Sequence, residues 1–413
     1  MVIPAPSQAA VPGRAPGVYF RYEPSGMRVI AAAGTSVAAF LGTADRDQPA
    51  NTPILVNSWP DFKEKFVNPE RAADFPLLPD AVYGWFTNGG GPCYICRIPA
   101  GEGTLQTALT ALEEKPDVTM VAVPGLSNIT GILPEQRPAE QTLVVKHCQE
   151  MGNRMALLDL PVATPPQAQA LPPGGGDGSD GAVPPDPIDG AAEAAGKINL
   201  SQEQAAFATV YYPWLLAPSV YETTARYVPP SGHVAGTWAR TDTERGVFKA
   251  PANVVVLGIL GLEFALTNQT QAPLNKEGIN CLRTFPGQGN LVWGARTRAA
   301  RDASDLDFRY VNVRRYINFL DDSITQSTRW AVFEPNNAEL QAKVTGAVSS
   351  FLVDQWRTGA LVGATAPEAF YVVCDSTNNT PITMAEGNLF CDIGVALTRP
   401  AEFVDFRVTQ TYS

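Results

Sequence analysis

The sequence predicts an α/β protein followed by a smaller α+β unit, with an extended β arm at each end of the chain. Three observations lead there. From about Trp59 to Leu160, apolar stretches alternate between helical and strand periodicity at the spacing of a largely parallel sheet flanked by helices. Beyond about Leu274 the character changes, and two amphipathic helices dominate. Short period-two segments stand near both termini, each next to prolines.

In chain order, residues 1–16 carry four prolines and little that builds a core, so they read as a flexible arm. In Gly17–Glu23, Val18, Phe20 and Tyr22 fall on one face, which is a strand. Pro24-Ser25-Gly26 is a turn, and Met27–Thr43 is a mostly apolar run punctuated by Gly34 and Gly42. Ser58 caps a short helix, Trp59–Phe66, with Pro60 in its first turn. Helices are expected over Leu78–Asn88, Thr104–Glu114 and Ala139–Met151, and strands over Cys93–Ile98, Val118–Val123 and Arg154–Leu160.

Pro161–Gly190 breaks this pattern. Eight of its residues are Pro and six are Gly, and nothing in it has a buried period, so it reads as a surface insertion. The α/β pattern resumes at Ala206–Leu216, continues in a helix after Ser231, and ends with Val254–Leu266. In Val311–Trp330, the residues Val313, Tyr316, Ile317, Leu320 and Ile324 form one apolar stripe, and Ala338–Trp356 repeats the device. Phe370–Cys374 and Asn388–Leu397 read as strands. Pro400 interrupts, and Phe403–Gln410 is a last strand with Val404, Phe406 and Val408 on one face. The expected division is an N-terminal arm (1–23), an α/β domain (24–275) with an insertion at 161–197, a C-terminal domain (276–399) and a C-terminal arm (400–413).

The inventory of reactive side chains is poor. With 30 Lys and Arg against 41 Asp and Glu, the net charge of -11 argues against a nucleic-acid footprint. Two histidines, His147 and His233, leave little with which to build a metal site or a catalytic triad. Cys93-Tyr94-Ile95-Cys96 lies in an expected strand, where its two thiols point to opposite faces. The six cysteines read as buried reduced thiols. Gly190–Lys197 imitates a phosphate loop, but five residues instead of four separate its glycines, and Ile198 stands where Ser or Thr would reach magnesium. Ser231 beside His233 is better explained as a helix cap than as a nucleophile. No catalytic residue, metal ligand or cofactor is expected. The N-terminus has no signal-peptide character, and no stretch is expected to insert in a membrane.

Charge offers one lead. Between Cys281 and Trp330 there are eight Arg and five Asp, a local balance of +3 in an acidic chain. Arg314, Arg315, Asp321, Asp322 and Arg329 fall outside the apolar stripe of Val311–Trp330, which suggests a charged surface for a protein partner.

Several long segments, in one order, resemble the contractile tail sheath proteins of phages and phage-like injection systems. They include PGVYFRYEPSGMRVIAAAGTSVAAFLG at 16–42, AVYGWFTNGGGPCYICRI at 81–98, YYPWL at 211–215 and VPPSGHVAGTWARTDTERGVFKAPAN at 228–253. GINCLRTFPGQGNLVWGARTR at 278–298, YVNVRRYINFLDDSI at 310–324, WAVFEPN at 330–336 and PAEFVDFRVTQ at 400–410 continue the series. The resemblance implies a subtilisin-like α/β topology without protease activity and a C-terminal domain facing an inner tube through Arg314, Arg315, Asp321, Asp322 and Arg329. It also implies arms, carrying Val18, Phe20, Tyr22, Val404, Phe406 and Val408, that add strands to neighbouring subunits. The implied partners are further copies of the chain, the inner tube, and baseplate and terminator proteins. The assembly would form in the cytoplasm, as part of a tail-like particle or a virion tail. A phage tail and a dedicated injection system remain alternatives. So, remotely, does a degenerate α/β hydrolase, which would need His233 to face a nucleophile.

Overall fold

The computed structural model describes residues 28–68, 76–99, 104–126, 133–162, 187–221, 224–302 and 307–404, and every statement below concerns these. The arm residues Val18, Phe20, Tyr22, Phe406 and Val408 lie outside them.

The first half alternates as the periodicity requires. Strand β1 (Ala38–Gly42) is followed by β2 (Pro53–Val56), α1 (Trp59–Phe66), α2 (Leu78–Thr87), β3 (Cys93–Arg97), α3 (Thr104–Leu112) and β4 (Met120–Ala122). Helix α4 (Arg137–Met151), β5 (Met155–Asp159), α5 (Pro187–Gly196), α6 (Gln202–Ala205) and β6 (Ala208–Tyr212) come next. Local chemistry sets the ends. The Ser58 side chain accepts from Asp61 N at the start of α1, and Gly152 takes a left-handed conformation that closes α4. Then come β7 (Leu215–Pro218), β8 (Ala225–Val228), α7 (Ser231–Arg245), β9 (Val254–Val255), β10 (Gly261–Leu262), α8 (Asn268–Lys276), β11 (Ile279–Phe285) and β12 (Gly289–Val292).

One nine-stranded sheet, in the order β2-β3-β1-β4-β5-β6-β11-β12-β9, organises this region. The strands from β3 to β11 are mutually parallel, and antiparallel strands finish both edges. Helices cover both faces, so β1, β4 and β6 are buried along their whole length and show no polar alternation. Cys93 and Cys96 are both buried for the same reason. A second, three-stranded sheet, β10-β7-β8, joins the same core through Leu215, Ala217 and Val228. Helix α7 packs closely on α2 because Gly232 and Gly236 present no side chain. A Cβ on Gly232 would stand 2.3 Å from the Ala81 carbonyl oxygen.

The C-terminal region holds α9 (Val311–Thr328), α10 (Ala338–Arg357), α11 (Ala366–Ala369), β13 (Phe370–Val373), α12 (Pro381–Ala385) and β14 (Asp392–Val395). Its separate core joins Tyr316 and Leu320 of α9 to Leu340, Val344, Val348, Phe351 and Leu352 of α10. Strands β13 and β14 form a two-stranded antiparallel sheet against it.

Four expectations change. The boundary expected at 276 moves to about residue 300, because β11 pairs in parallel with β6 and carries β12 and β9 into the large sheet. Its apolar run, Ile279–Leu282, is buried like any other central strand. The insertion expected over 161–197 shrinks from its C-terminal side. Residues 187–196 are helix α5, with Ala191 and Ala195 in the main core, and Tyr212 Oη donates to the Pro187 carbonyl at 2.9 Å. Residues 163–186 lie outside the described part. The α/β unit, expected from residue 24, starts at Val37; Ala31 N and Ala33 N donate to the hydroxyls of Ser327 and Ser323 on α9, and Ile30 enters the C-terminal core. Finally, Phe403 and Val404, expected to begin a strand, have no regular structure and are exposed.

Candidate assembly interface

Among the described residues, neither histidine hydrogen-bonds a nucleophile. Ser231 is the first helical residue of α7 rather than its cap. Its Oγ donates to Asp159 Oδ2 at 2.6 Å, and its N–H donates to Asp159 Oδ1 at 2.9 Å. Burial pushes the Asp159 carboxyl up to about 7, against the Ser231 hydrogen bonds that lower it. His233, two positions on, is fully buried beside Gly84; neither ring nitrogen has a hydrogen-bond partner, and desolvation lowers its pKa to about 4. His147 meets Arg154 instead, at 3.1 Å. A cavity of about 270 Å³ at the C-terminal ends of β4 and β5 is lined by Arg137, Gln141, Asp159, Lys197 and Trp214, and neither histidine reaches it. Among the described residues no group of three or more His, Cys, Asp or Glu is placed to hold a metal ion.

The charged side chains of α9 divide. Arg315 does not face outward. Its guanidinium donates to both carboxylate oxygens of Asp242 on α7, at 2.9 and 2.5 Å, and to the Thr35 carbonyl at 3.0 Å, and it lies over the Trp238 ring. Both members of this ion pair are almost wholly buried, and Thr35 and Ser36 hydroxyls also donate to Asp242. The pair therefore ties α9 to the large domain. Arg314 is half-buried between the Phe207 and Phe308 rings and donates to Asn318 Oδ1 at 2.7 Å; desolvation lowers its pKa to about 10. Asp322 is half-buried and accepts from Gln326. Only Asp321 and Arg329 of the five are exposed. Burial is a tertiary property: both arginines project from the polar side of α9, and that side meets α7 and residues 207 and 308.

Both ends of the described chain are anchored to the body. At the N-terminal end, Arg28 lies over the Trp330 ring and Val29 is exposed. At the C-terminal end, Glu402 accepts from Arg296 Nε and an Arg296 terminal nitrogen, both at 2.8 Å, from Tyr310 Oη at 3.0 Å and from Asn275 Nδ2 at 3.2 Å. Burial raises this carboxyl, but the donors outweigh it and hold it below the usual range. Immediately beyond, Phe403 and Val404 are 72% and 66% exposed. The β13–β14 sheet has the complementary property. Phe370, Val372, Ile393 and Val395 pack on the C-terminal core, whereas Tyr371 is 59% exposed, and among the described residues no third strand covers either long edge. Open edges with unpaired N–H and C=O groups accept added strands.

Against this geometry, residues 100–298 match the family model for the phage tail sheath protein central domain, and residues 303–411 match the phage tail sheath C-terminal domain. The chain belongs to the phage tail sheath family. Two similar structures are the contracted sheath complex of an extracellular contractile injection system, PVC, and the contracted helical sheath of the anti-feeding prophage. The first has a TM-score of 0.73 at 28% identity, covering 97% of this chain and 99% of that one. The second has a TM-score of 0.72 at 29% identity, covering 97% and 100%. Among curated relatives, the tail sheath protein of Enterobacteria phage T4 is 25% identical over 46% of this chain and 28% of its own length. The putative prophage major tail sheath protein of Pseudomonas aeruginosa strain UCBPP-PA14 is 28% identical over 45% of this chain and 47% of its own length. The chain thus spans less than half the length of these two curated relatives. The match boundary between 298 and 303 agrees with the point where the large sheet ends and α9 begins.

Proposed function

We propose that the chain is the structural subunit of a contractile sheath, which polymerises around an inner tube and contracts to drive that tube through a target envelope. The observation that carries the reading is the correspondence of nearly the whole chain, core and C-terminal region alike, to sheath subunits in contracted assemblies. The geometry supports it. Chain ends bearing exposed apolar residues leave an anchored body, and the same body offers a two-stranded sheet with open edges. In a polymer, the arms carrying Val18, Phe20, Tyr22, Phe406 and Val408 add strands to the β13–β14 edges of neighbours. Each arm contributes about five backbone hydrogen bonds at about 1 kcal/mol net, less its ordering cost, which is weak singly and strong in a lattice.

The free energy for contraction is the difference in packing between two lattices of one subunit, so no nucleotide or other cofactor is required. The Arg315–Asp242 pair lets the two domains move as one body while the arms keep neighbours connected. Contact with the tube falls to the exposed edge of α9, at Asp321 and Arg329. Baseplate and terminator proteins complete the partners, and the particle assembles in the cytoplasm. No described helix is long and apolar enough to cross a membrane. The large domain follows a subtilisin-like strand and helix order, with a structural rather than an enzymatic role. A dedicated injection system is favoured over a phage tail because the chain is 28% and 29% identical to two sheaths of such systems over 97% of its length. Co-expression with the tube protein, followed by negative-stain imaging, tests the reading: sheathed tubes support it, and bare tubes beside soluble monomers refute it.

A further inference from the structure

We propose that Cys374 and Cys391 are a disulfide-forming site: a cross-strand thiol pair at the loop end of the β13–β14 hairpin that reacts with a small-molecule disulfide and closes the loop between them. The register places them opposite each other. Phe370 pairs with Val395 and Val373 with Asp392, and the next pair in sequence is Cys374 with Cys391. The phase of the ladder makes the position favourable. Ala396 N donates to the Ala369 carbonyl at 2.8 Å, so the alternating hydrogen-bonded pairs are 369/396, 371/394 and 373/392. The cysteines then occupy a non-hydrogen-bonded position, where facing Cα atoms are about 4.5 Å apart and side chains are closest. That spacing lies within the Cα range a disulfide spans. Each thiol lies close enough to shift the other's titration.

The loop is held ready. Asn379 is buried, accepts from Phe390 N at 2.7 Å and donates to the Phe390 carbonyl at 2.8 Å, so the residue before Cys391 is fixed relative to the segment after Cys374. The other four cysteines, Cys93, Cys96, Cys148 and Cys281, are buried in the main core and are inaccessible to a soluble oxidant.

Exposure sets the order of events. Cys391 is half-buried and Cys374 nearly fully buried. The Cys391 thiolate attacks one sulfur of the small disulfide, releasing one thiolate and leaving a mixed disulfide. Deprotonated Cys374 then attacks the Cys391 sulfur and displaces the second thiolate. Two protein thiols lose two protons and two electrons, and the small disulfide is reduced to two thiols. Burial pushes the Cys391 thiol up to about 12 and raises that of Cys374, so few thiolates exist at neutral pH and the reaction accelerates about tenfold per pH unit above it.

The test incubates the folded full-length chain with oxidised glutathione in mildly alkaline buffer, then alkylates, digests and maps peptides by mass. A peptide linking Cys374 to Cys391, lighter by two hydrogens, is expected as the main product. Cys374→Ala should instead stop at a glutathione adduct on Cys391, and Cys391→Ala should stay unmodified. In the wild-type chain, a glutathione adduct that persists on Cys391, or a Cys391 that alkylates fully after prolonged oxidation, overturns the proposal. The wild-type result stands alone if either variant misfolds.

Discussion

Arg315 and Asp242 meet where the two domains join, each with almost no solvent exposure. Removing one partner strands the other charge in a dry site, so Arg315→Ala should destabilise the chain by about 3–5 kcal/mol, read as a lower denaturant midpoint. Replacing both together, as Arg315→Met with Asp242→Leu, should recover much of the loss. His233 supplies a pH dependence of defined sign. Its folded pKa, about 4, lies below the ordinary 6.5, so the unfolded chain binds the extra proton between those values. Its contribution is complete above pH 6.5 and is lost as the pH falls towards 4, at about 1.4 kcal/mol per unit. His233→Leu, which also removes two unpartnered buried nitrogens, should lower the slope of the stability-pH curve in that window by about 1.4 kcal/mol per unit, while His147, whose pKa burial also lowers to about 4, keeps its own share. An unchanged slope would place the titration elsewhere.

Deletions separate the elements that hold the monomer from those that join neighbours. Truncation at residue 400 would remove Glu402 and release Arg296, Asn275 and Tyr310, so it confounds folding with assembly. Removing 404–413 keeps the anchor. The monomer should then retain its thermal midpoint while polymerisation, followed by sedimentation, fails. Pro at Val404 or Phe406 should weaken assembly in the same way, because it removes a backbone donor from an added strand. Replacing 163–186 by a Gly/Ser linker of similar reach should leave the midpoint unchanged. Carrying the deletion on through Gly196 should cost several kcal/mol, because Ala191 and Ala195 leave the core. Most elements were legible in the sequence because their signals are local: Ser58 before Pro60, Gly152 after Met151, and the period-3.6 stripe of α10. The first turn of α7 is not legible locally, since Ser231 has cap chemistry but directs it to Asp159, a partner 72 residues away. The extent of α5 was hidden by the Pro/Gly bias of the segment before it.

At the scale of the molecule, sequence separated a large α/β unit from a small α+β one but put the join too early. Strand β11 looks like any apolar run, and only its pairing with β6 assigns it to the large sheet. The candidate interface was half visible. Alternation at Phe403–Gln410 suggests an arm that lies mostly outside the described residues, while the open edges of β13–β14 and the inward turn of Arg315 depend on packing that no local pattern encodes. On the proposed function, one chain builds two lattices around a tube. Cryo-electron microscopy of particles co-expressed with the tube protein, before and after a contraction trigger, tests it most directly. The expected result is a longer, narrower sheath that becomes shorter and wider. In both, the subunit should keep the Arg315–Asp242 contact, and strands from neighbouring arms should lie on the β13–β14 edges. A sheath of fixed length, or subunits whose β13–β14 edges stay unoccupied in both states, would contradict it.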